Sequence, residues 1–440
     1  MKSSKTTLPV FLLLLSCASH CQAQTATINW NNTHQILDGF GASDAFELAP
    51  LTRTQADLFF SPTTGIGLSL LRTNVPEDGS CSTVNTTCAG DVSNMQIAIA
   101  NGAKVWSTPW SPPASMKSNG SIKQGGALLP GSYAAYATYL ANYVKSLKSL
   151  YGIDLYALSV QNEPESAQHW DSAVWTPANF ATFIGANLGP TFAADGLATL
   201  IITPETFQWQ DLAEYENPTM SNSKTATYVS IIATHNYAYN GTGEPPSSLG
   251  HSENKHLWET EICDFATPDP SIASALKYAQ SINNWMTISN ANAWHYWELI
   301  NPSVHYNAGL MDSSGTATKR LYMMGNYSKF VRPGFYRIDA TATPQNGVSV
   351  SAYKNSTSST LVIVVINQNS SNVSQTFALN GAAVSSVTPW ITSASFDLVQ
   401  QSDVPVSGGS FVYSLPAASI TSFVGTTALA APTGLTAKVL

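Results

Sequence analysis

Residues 200–204 read Leu200-Ile201-Ile202-Thr203-Pro204, and residues 229–233 read Val229-Ser230-Ile231-Ile232-Ala233. Both are near-continuous apolar runs rather than strict alternations. A strand with one wet face alternates; a strand buried on both faces does not. Sheets buried on both faces are parallel and covered by helices. Outward from these two runs, six more candidate strands lie at residues 36–41, 67–74, 104–109, 155–161, 256–261 and 293–299. The eight recur at intervals in the mid-thirties, close to the ~30 residues of one strand–helix unit. Between two of them, Tyr136, Tyr139, Leu140, Tyr143 and Leu147 fall at helical spacing. The pattern predicts an α/β fold, a (β/α)8 TIM barrel over residues 36–333, rather than an open sheet.

After Arg332-Pro333-Gly334 the texture changes. Residues 348–354, 360–367, 374–379, 393–399 and 411–415 are short β-rich runs broken by Asn, Ser and Gly, as in an all-β sandwich. This side domain is expected over residues 334–427, with residues 24–35 adding an N-terminal strand to it. Residues 428–440 read as a linker or the opening of a further module. At the other end, Lys2 and Lys5 precede the apolar run Leu8 to Leu15, and small residues follow. That is a secretory signal pattern over residues 1–23, cleaved after Ala23. Leu14-Leu15-Ser16-Cys17 only loosely resembles a lipobox. No later segment reaches ~18 uninterrupted apolar residues. The expectation is a secreted, extracellular, monomeric protein with no membrane association once the signal is removed.

Composition narrows the function. Of 440 residues only 10% are charged, and Lys+Arg 19 against Asp+Glu 27 leaves −8. That excludes the basic face of a nucleic-acid binder and the charge-rich texture of disordered or coiled-coil chains. With 11 Trp and 18 Tyr, the polar surface falls largely to uncharged residues, which suits neutral polymers. Of five Cys, Cys17 and Cys21 leave with the signal. Cys81 and Cys88, seven apart in a Ser/Thr/Gly-rich loop, are expected to form a disulfide in an oxidising compartment. Cys263 reads as a buried small hydrophobe. No zinc spacing and no HExxH motif is present, so no metal or cofactor is expected.

A barrel of this kind carries its active site at the C-terminal ends of the strands. Those ends hold Arg72, Trp110, Asn162-Glu163, Glu205, His235 with Tyr237, Glu259 with Glu261, and Trp297-Glu298. Glu163 follows the fourth strand and Glu261 the seventh, 98 positions on, so the two face each other across the mouth. Glycoside hydrolysis needs such a pair: one acid to protonate the leaving oxygen, one carboxylate to attack the anomeric carbon or activate water. Glu163 is assigned as acid/base, raised by burial and a neighbouring charge, and Glu261 as nucleophile, kept ionised by Arg72. Asn162 is placed to hold a sugar hydroxyl, and Tyr237 to donate to Glu261. Trp110 and Trp297 offer flat faces to sugar rings. Each residue alone has a structural reading: Asn-Glu-Pro as a helix start, Arg72 as a barrel ion pair, the Trp as packing, and His235, Glu205 and Glu259 as wall groups. The combination carries the assignment.

These motifs resemble glycoside hydrolase family 30, in particular its bacterial glucuronoxylanase type. The matching stretches include Asp38-Gly39-Phe40-Gly41, Leu70-Leu71-Arg72, Thr108-Pro109-Trp110-Ser111-Pro112-Pro113, Ser159-Val160-Gln161-Asn162-Glu163-Pro164, Trp258-Glu259-Thr260-Glu261 and Val331-Arg332-Pro333-Gly334. The resemblance implies a retaining mechanism, a barrel with a side β-sandwich built from both ends, Glu163 as acid/base, Glu261 as nucleophile, and no metal. It implies a β-linked plant cell-wall polysaccharide as partner, xylan first. Relatives in the family also cut β-1,6-glucan, β-1,6-galactan or glucosylceramide, or release xylobiose from chain ends. A carbohydrate-binding protein without turnover is a remoter alternative that the retained Glu pair opposes. Two stretches depart from the pattern. Asn301 stands where the type carries an Arg that clamps the glucuronate branch of xylan, with Glu298 nearby, and Ile262-Cys263-Asp264-Phe265 follows the nucleophile. An acid near the clamp repels a carboxylate, so the expectation is an endo-xylanase without strict glucuronate dependence.

Overall fold

A computed structural model describes residues 25–46, 50–237, 254–301, 306–355, 357 and 359–427. The expected signal peptide, the expected C-terminal linker and Ser303 of the departing segment lie outside the described residues. Strand β1 (Ala26–Ile36) leads into a parallel set: β2 (Gly39–Ser43), β3 (Leu70–Asn74), β4 (Lys104–Thr108), β5 (Ala157–Ser159), β6 (Leu200–Thr206), β7 (Val229–Thr234), β8 (His256–Glu259) and β9 (Ala293–Ile300). Neighbours pair in sequence order, and β9 closes on β2 through Gly39↔Ala293, Phe40↔Trp294 and Gly41↔His295. The result is a closed (β/α)8 barrel, with β10 (Gly309–Met311) added in parallel on β9.

The barrel interior is packed solid. Leu70, Trp106, Ala157, Ile202, Ile231, Ala233, Trp258 and Ala293 form one buried cluster. Two Trp meet edge to face at 5.8 Å, and small Ala157 and Ala293 share the layer with them. Such inward layers fill a barrel rather than leave a pore. Outside, helices cover the sheet. The helix Tyr133–Tyr151 buries Tyr136, Tyr139, Leu140, Tyr143 and Leu147, the 3–4 spacing of one helical face. It stops at Gly152, whose φ of 70° is the left-handed cap. Among the described residues, no helix is long and apolar enough to cross a membrane.

The expected first strand divides in two. β1 ends at Ile36 and belongs to the outer sheet, while the barrel strand starts at Gly39. Gly39 has φ +140°, and a Cβ there would lie 2.1 Å from Ser69 Oγ. Only glycine makes that transfer between sheets.

The second sheet comprises β1, β11 (Tyr336–Ala340), β12 (Val348–Asn355), β13 (Thr360–Asn367), β14 (Val373–Asn380), β15 (Ser386–Thr392), β16 (Val399–Gln400), β17 (Val404–Pro405), β18 (Ser410–Leu415) and β19 (Ser419–Thr426). β1 lies between β11, antiparallel, and β14, parallel, so the N-terminal strand joins the C-terminal sheet. Phe377 of β14 and Phe423 of β19 are five places apart in strand order yet 5.3 Å apart between rings. The sheet is therefore curled on itself around an apolar core. One expected strand is misplaced. Residues 393–398 are turn, because Ser393 Oγ accepts the Ser395 and Phe396 N–H groups. The strand precedes it at Ser386–Thr392 and contains Pro389, which supplies no ladder donor.

Candidate active site

Five barrel strands deliver a charged cluster to one end of the barrel. Arg72, from β3, is fully buried. Its guanidinium bonds Glu261 Oε2, Asn162 Oδ1 at 2.7 Å and Glu205 Oε1 at 3.0 Å. It also stands 4.6 Å from the Trp110 ring centroid and 5.5 Å from that of Trp297. His235, after β7, sits among three carboxylates. Its Nδ1 is 3.3 Å from Glu163 Oε1, and its Nε2 is 3.7 Å from both Glu205 Oε1 and Glu261 Oε2. Tyr237 donates its hydroxyl to Glu261 Oε1 at 2.6 Å, and Thr108 donates to Glu205 Oε2 at 2.5 Å.

The backbone is bent to make this possible. Glu163 has φ +47° and Glu205 φ +59°, conformations that cost a non-glycine residue energy of order 1–3 kcal/mol. The two bends support each other, since the Glu163 N–H donates to the Glu205 carbonyl at 2.9 Å. Asn162 N–H donates to the Pro109 carbonyl at 2.9 Å, tying the fourth strand end to the third.

Electrostatics separates the three acids. Burial opposes the charge on Glu205, but the Arg72 guanidinium and His235 outweigh it and hold its carboxyl at about 2. Burial also opposes a charge on His235. The Glu261 carboxylate, the hydrogen bond to Glu163 and the nearby Glu205 carboxylate win, and its pKa rises to about 10. Glu163 shifts up, because burial and the Glu261 charge exceed the help from His235. Two cations, Arg72 and His235, thus balance Glu205 and the ion-paired Glu261. Of the three, Glu163 is the acid whose surroundings favour the protonated form.

Glu163, His235 and Glu261 each bring one potential metal-ligand atom within 4.8 Å of the others. Within the trio one hydrogen bond forms, His235 Nδ1 to Glu163 Oε1 at 3.3 Å, while His235 Nε2 stands 3.7 Å from Glu261 Oε2. A Glu163 oxygen and a Glu261 oxygen are at most 4.8 Å apart.

The cluster floors a cleft of about 660 Å³. Of the residues singled out from sequence, Trp110, Asn162, Glu163, Tyr237, Glu261 and Trp297 line it, and Arg72 lies beneath. The Trp110 and Trp297 rings are 5.7 Å apart. Arg72 takes Asn162 Oδ1, which leaves Nδ2 as the donor for a ligand. Glu298 also lines the cleft. Asn301 does not: it is buried, and its amide donates to the Tyr306 carbonyl. Cys81 and Cys88 form a disulfide away from the cleft, with Cα atoms 4.9 Å apart. Cys263 is buried, its sulfur 3.7 Å from the Tyr237 hydroxyl.

Sequence reasoning undervalued Glu205 and His235, read as wall groups. Their only signal was position at a strand end. It missed Phe46, Lys123, Trp170, Asp171, Phe207 and Phe265, which line the cleft mostly from loops whose path no periodicity announces.

The chain as a whole is similar to known proteins. Residues 91–294 match the Glycosyl hydrolase family 30 TIM-barrel domain. The chain is 34% identical to the glucuronoxylanase XynC of Bacillus subtilis (strain 168) over 91% of this chain and 92% of that protein. It superposes on the family 30 subfamily 8 xylanase Xyn30A of Clostridium acetobutylicum with TM-score 0.82 at 36% identity, covering 92% of this chain and 100% of that one. Against the catalytic domain of xylanase C from Talaromyces cellulolyticus the TM-score is 0.78 at 29% identity, with the same coverage. These similarities extend across nearly the whole chain, barrel and curled outer sheet together: it belongs to glycosyl hydrolase family 30 and is a glycoside hydrolase.

Proposed function

We propose that this is a secreted, monomeric, retaining endo-β-1,4-xylanase that cuts xylan internally and does not depend strictly on glucuronate branches. The observation that carries the reaction is the Glu163–Glu261 pair, with oxygens no more than 4.8 Å apart in the aromatic cleft. Retaining hydrolases hold their carboxyl groups ≈ 5–5.5 Å apart and inverting ones ≈ 6.5–9.5 Å, the extra room holding a water.

In the first step Glu163 gives its proton to the glycosidic oxygen as Glu261 attacks the anomeric carbon. The C–O bond to the leaving sugar breaks, and a glycosyl ester forms on Glu261. Arg72 and the Tyr237 hydroxyl hold Glu261 in one orientation. In the second step Glu163, now a carboxylate, takes a proton from water, and the water oxygen displaces Glu261. His235 bridges Glu163 and Glu205 without leaving its place.

The names of the relatives support xylan as substrate. Freedom from glucuronate is supported by Asn301, which is committed to the Tyr306 carbonyl, and by Glu298 in the cleft. The test is hydrolysis of glucuronoxylan, arabinoxylan and unbranched xylo-oligosaccharides, with products sized by mass spectrometry. Comparable ladders from all three are expected. Cleavage of glucuronoxylan alone refutes the glucuronate reading, disaccharide alone refutes the endo mode, and no cleavage of any refutes the xylanase reading. Secretion is tested separately: protein recovered from the culture medium should begin at Gln24.

A further inference from the structure

The segment after the nucleophile, Ile262-Cys263-Asp264-Phe265, has no part in the chemistry above. Phe265 is 59% exposed, the most exposed large apolar side chain among the described residues, and it lines the cleft. It is not loosely held. Asp264 anchors the segment by accepting from Asn307 Nδ2 at 2.7 Å, Tyr278 Oη at 2.9 Å and Lys277 Nζ at 3.1 Å. The Asn307 N–H donates back to the Asp264 carbonyl at 3.1 Å.

Phe265 also continues an aromatic series. The Phe207 and Tyr237 rings stack at 4.9 Å and 14°, and Tyr237 and Phe265 follow at 6.1 Å and 21°. Tyr306 meets Phe265 edge-on at 5.4 Å. Tyr237, whose hydroxyl holds Glu261, is the middle ring of the series, between Phe207 and Phe265. Apart from Glu163 and the Arg72-paired Glu261, the charged side chains lining the cleft are Asp171 and Glu298 against Lys123. That lining carries no excess positive charge to hold an anionic sugar, and an uncharged ring needs none. A fixed, exposed, flat apolar face beside a sugar-cleaving pair suits the C–H face of a pyranose.

We propose that Phe265, braced by Tyr306 and by the Asp264 anchor, is a specificity-determining platform that stacks an uncharged sugar ring of the bound glycan. The inference rests on the glycan-hydrolase reading above, and it adds the residue and the ligand class.

The test compares the parent with Phe265→Ala, Phe265→Leu and Phe265→Trp on unbranched xylohexaose and on β-1,6-linked glucohexaose. On whichever the parent cleaves, Phe265→Ala and Phe265→Leu should raise KM about ten-fold, with the loss in KM rather than in kcat. Leu keeps apolar surface but loses the flat face, and Trp should restore the parent KM. If Ala and Leu both keep the parent KM, the platform is refuted while the xylanase reading stands. If the parent cleaves only glucohexaose, the xylan reading falls, and the same KM ratios still decide the platform. A fall in thermal midpoint with equal loss in kcat for all three variants would make Phe265 a structural residue and overturn the proposal.

Discussion

Replacing Glu163 with Gln removes one proton and almost nothing else. The amide is isosteric, its oxygen can still accept from His235 Nδ1 at the present 3.3 Å, and the Glu163 N–H bond to Glu205 is untouched. Fold and substrate binding should survive. What is lost is proton donation to the leaving oxygen, a general-acid contribution of ~10²–10⁴. Glu163 is buried and its carboxyl is shifted up, the direction a proton donor needs, and the middle of the range is taken. A loss of about 10³ in kcat/KM on xylan corresponds to about 4 kcal/mol. A dinitrophenyl β-xylobioside needs no such help, because its leaving group departs as a stable anion. For it, formation of the glycosyl ester should slow less than about ten-fold. Breakdown of the ester still lacks its base, so a burst should precede slow turnover, and azide should rescue it by attacking the anomeric carbon. The assay is burst and steady-state release of dinitrophenolate, beside reducing-sugar release from xylan. If Glu163→Gln loses equally on both substrates, or keeps xylan activity within ten-fold of the parent, Glu163 is not the acid.

Three further outcomes follow from the cluster. Glu205 has a folded pKa of about 2 against 4.5. Its stabilisation is present above about pH 4.5 and lost as pH falls toward 2, about 3 kcal/mol in all. Glu205→Gln should flatten chemical-denaturation stability against pH in that window, and an unchanged slope refutes the ion-pair account. His235 is shifted the other way, to about 10 from 6.5. Its contribution is complete below pH 6.5 and lost as pH rises through 10, and an NMR titration of its imidazole with a midpoint below 7 would sink the assignment. Glu298→Gln removes a carboxylate from the cleft wall and should shift the glucuronoxylan to xylohexaose rate ratio upward by about five-fold, the worth of relieving one like-charge contact. No change in that ratio would mean Glu298 does not face the branch.

The barrel was legible because its evidence is local. Runs such as Leu200-Ile201-Ile202 and the helical spacing from Tyr136 to Leu147 report burial within a few residues, and burial on both faces admits few architectures. The two acids were legible because a parallel barrel converts chain position into place: whatever ends a strand arrives at the same rim. The outer sheet was less so. Pro389 disguised β15, and β1 pairs with β11 and β14 more than 300 residues away, which no local pattern can announce.

The sequence by itself determined the class of fold, the strand ends that bear polar groups and the placing of Glu163 and Glu261 at one rim of the barrel. Tertiary structure alone decided the electrostatic field at each acid, because that field depends on charges brought from other strands. Arg72 from β3, Glu205 from the end of β6 and His235 from beyond β7 meet around two carboxylates that follow β5 and β8. The same holds for Phe265. Its exposure and its stacking on Tyr237 exist only once Asp264 is tied to Lys277, Tyr278 and Asn307. Side-chain identity is written along the chain, whereas the field and the surface that a substrate meets are sums over neighbours that folding alone makes adjacent.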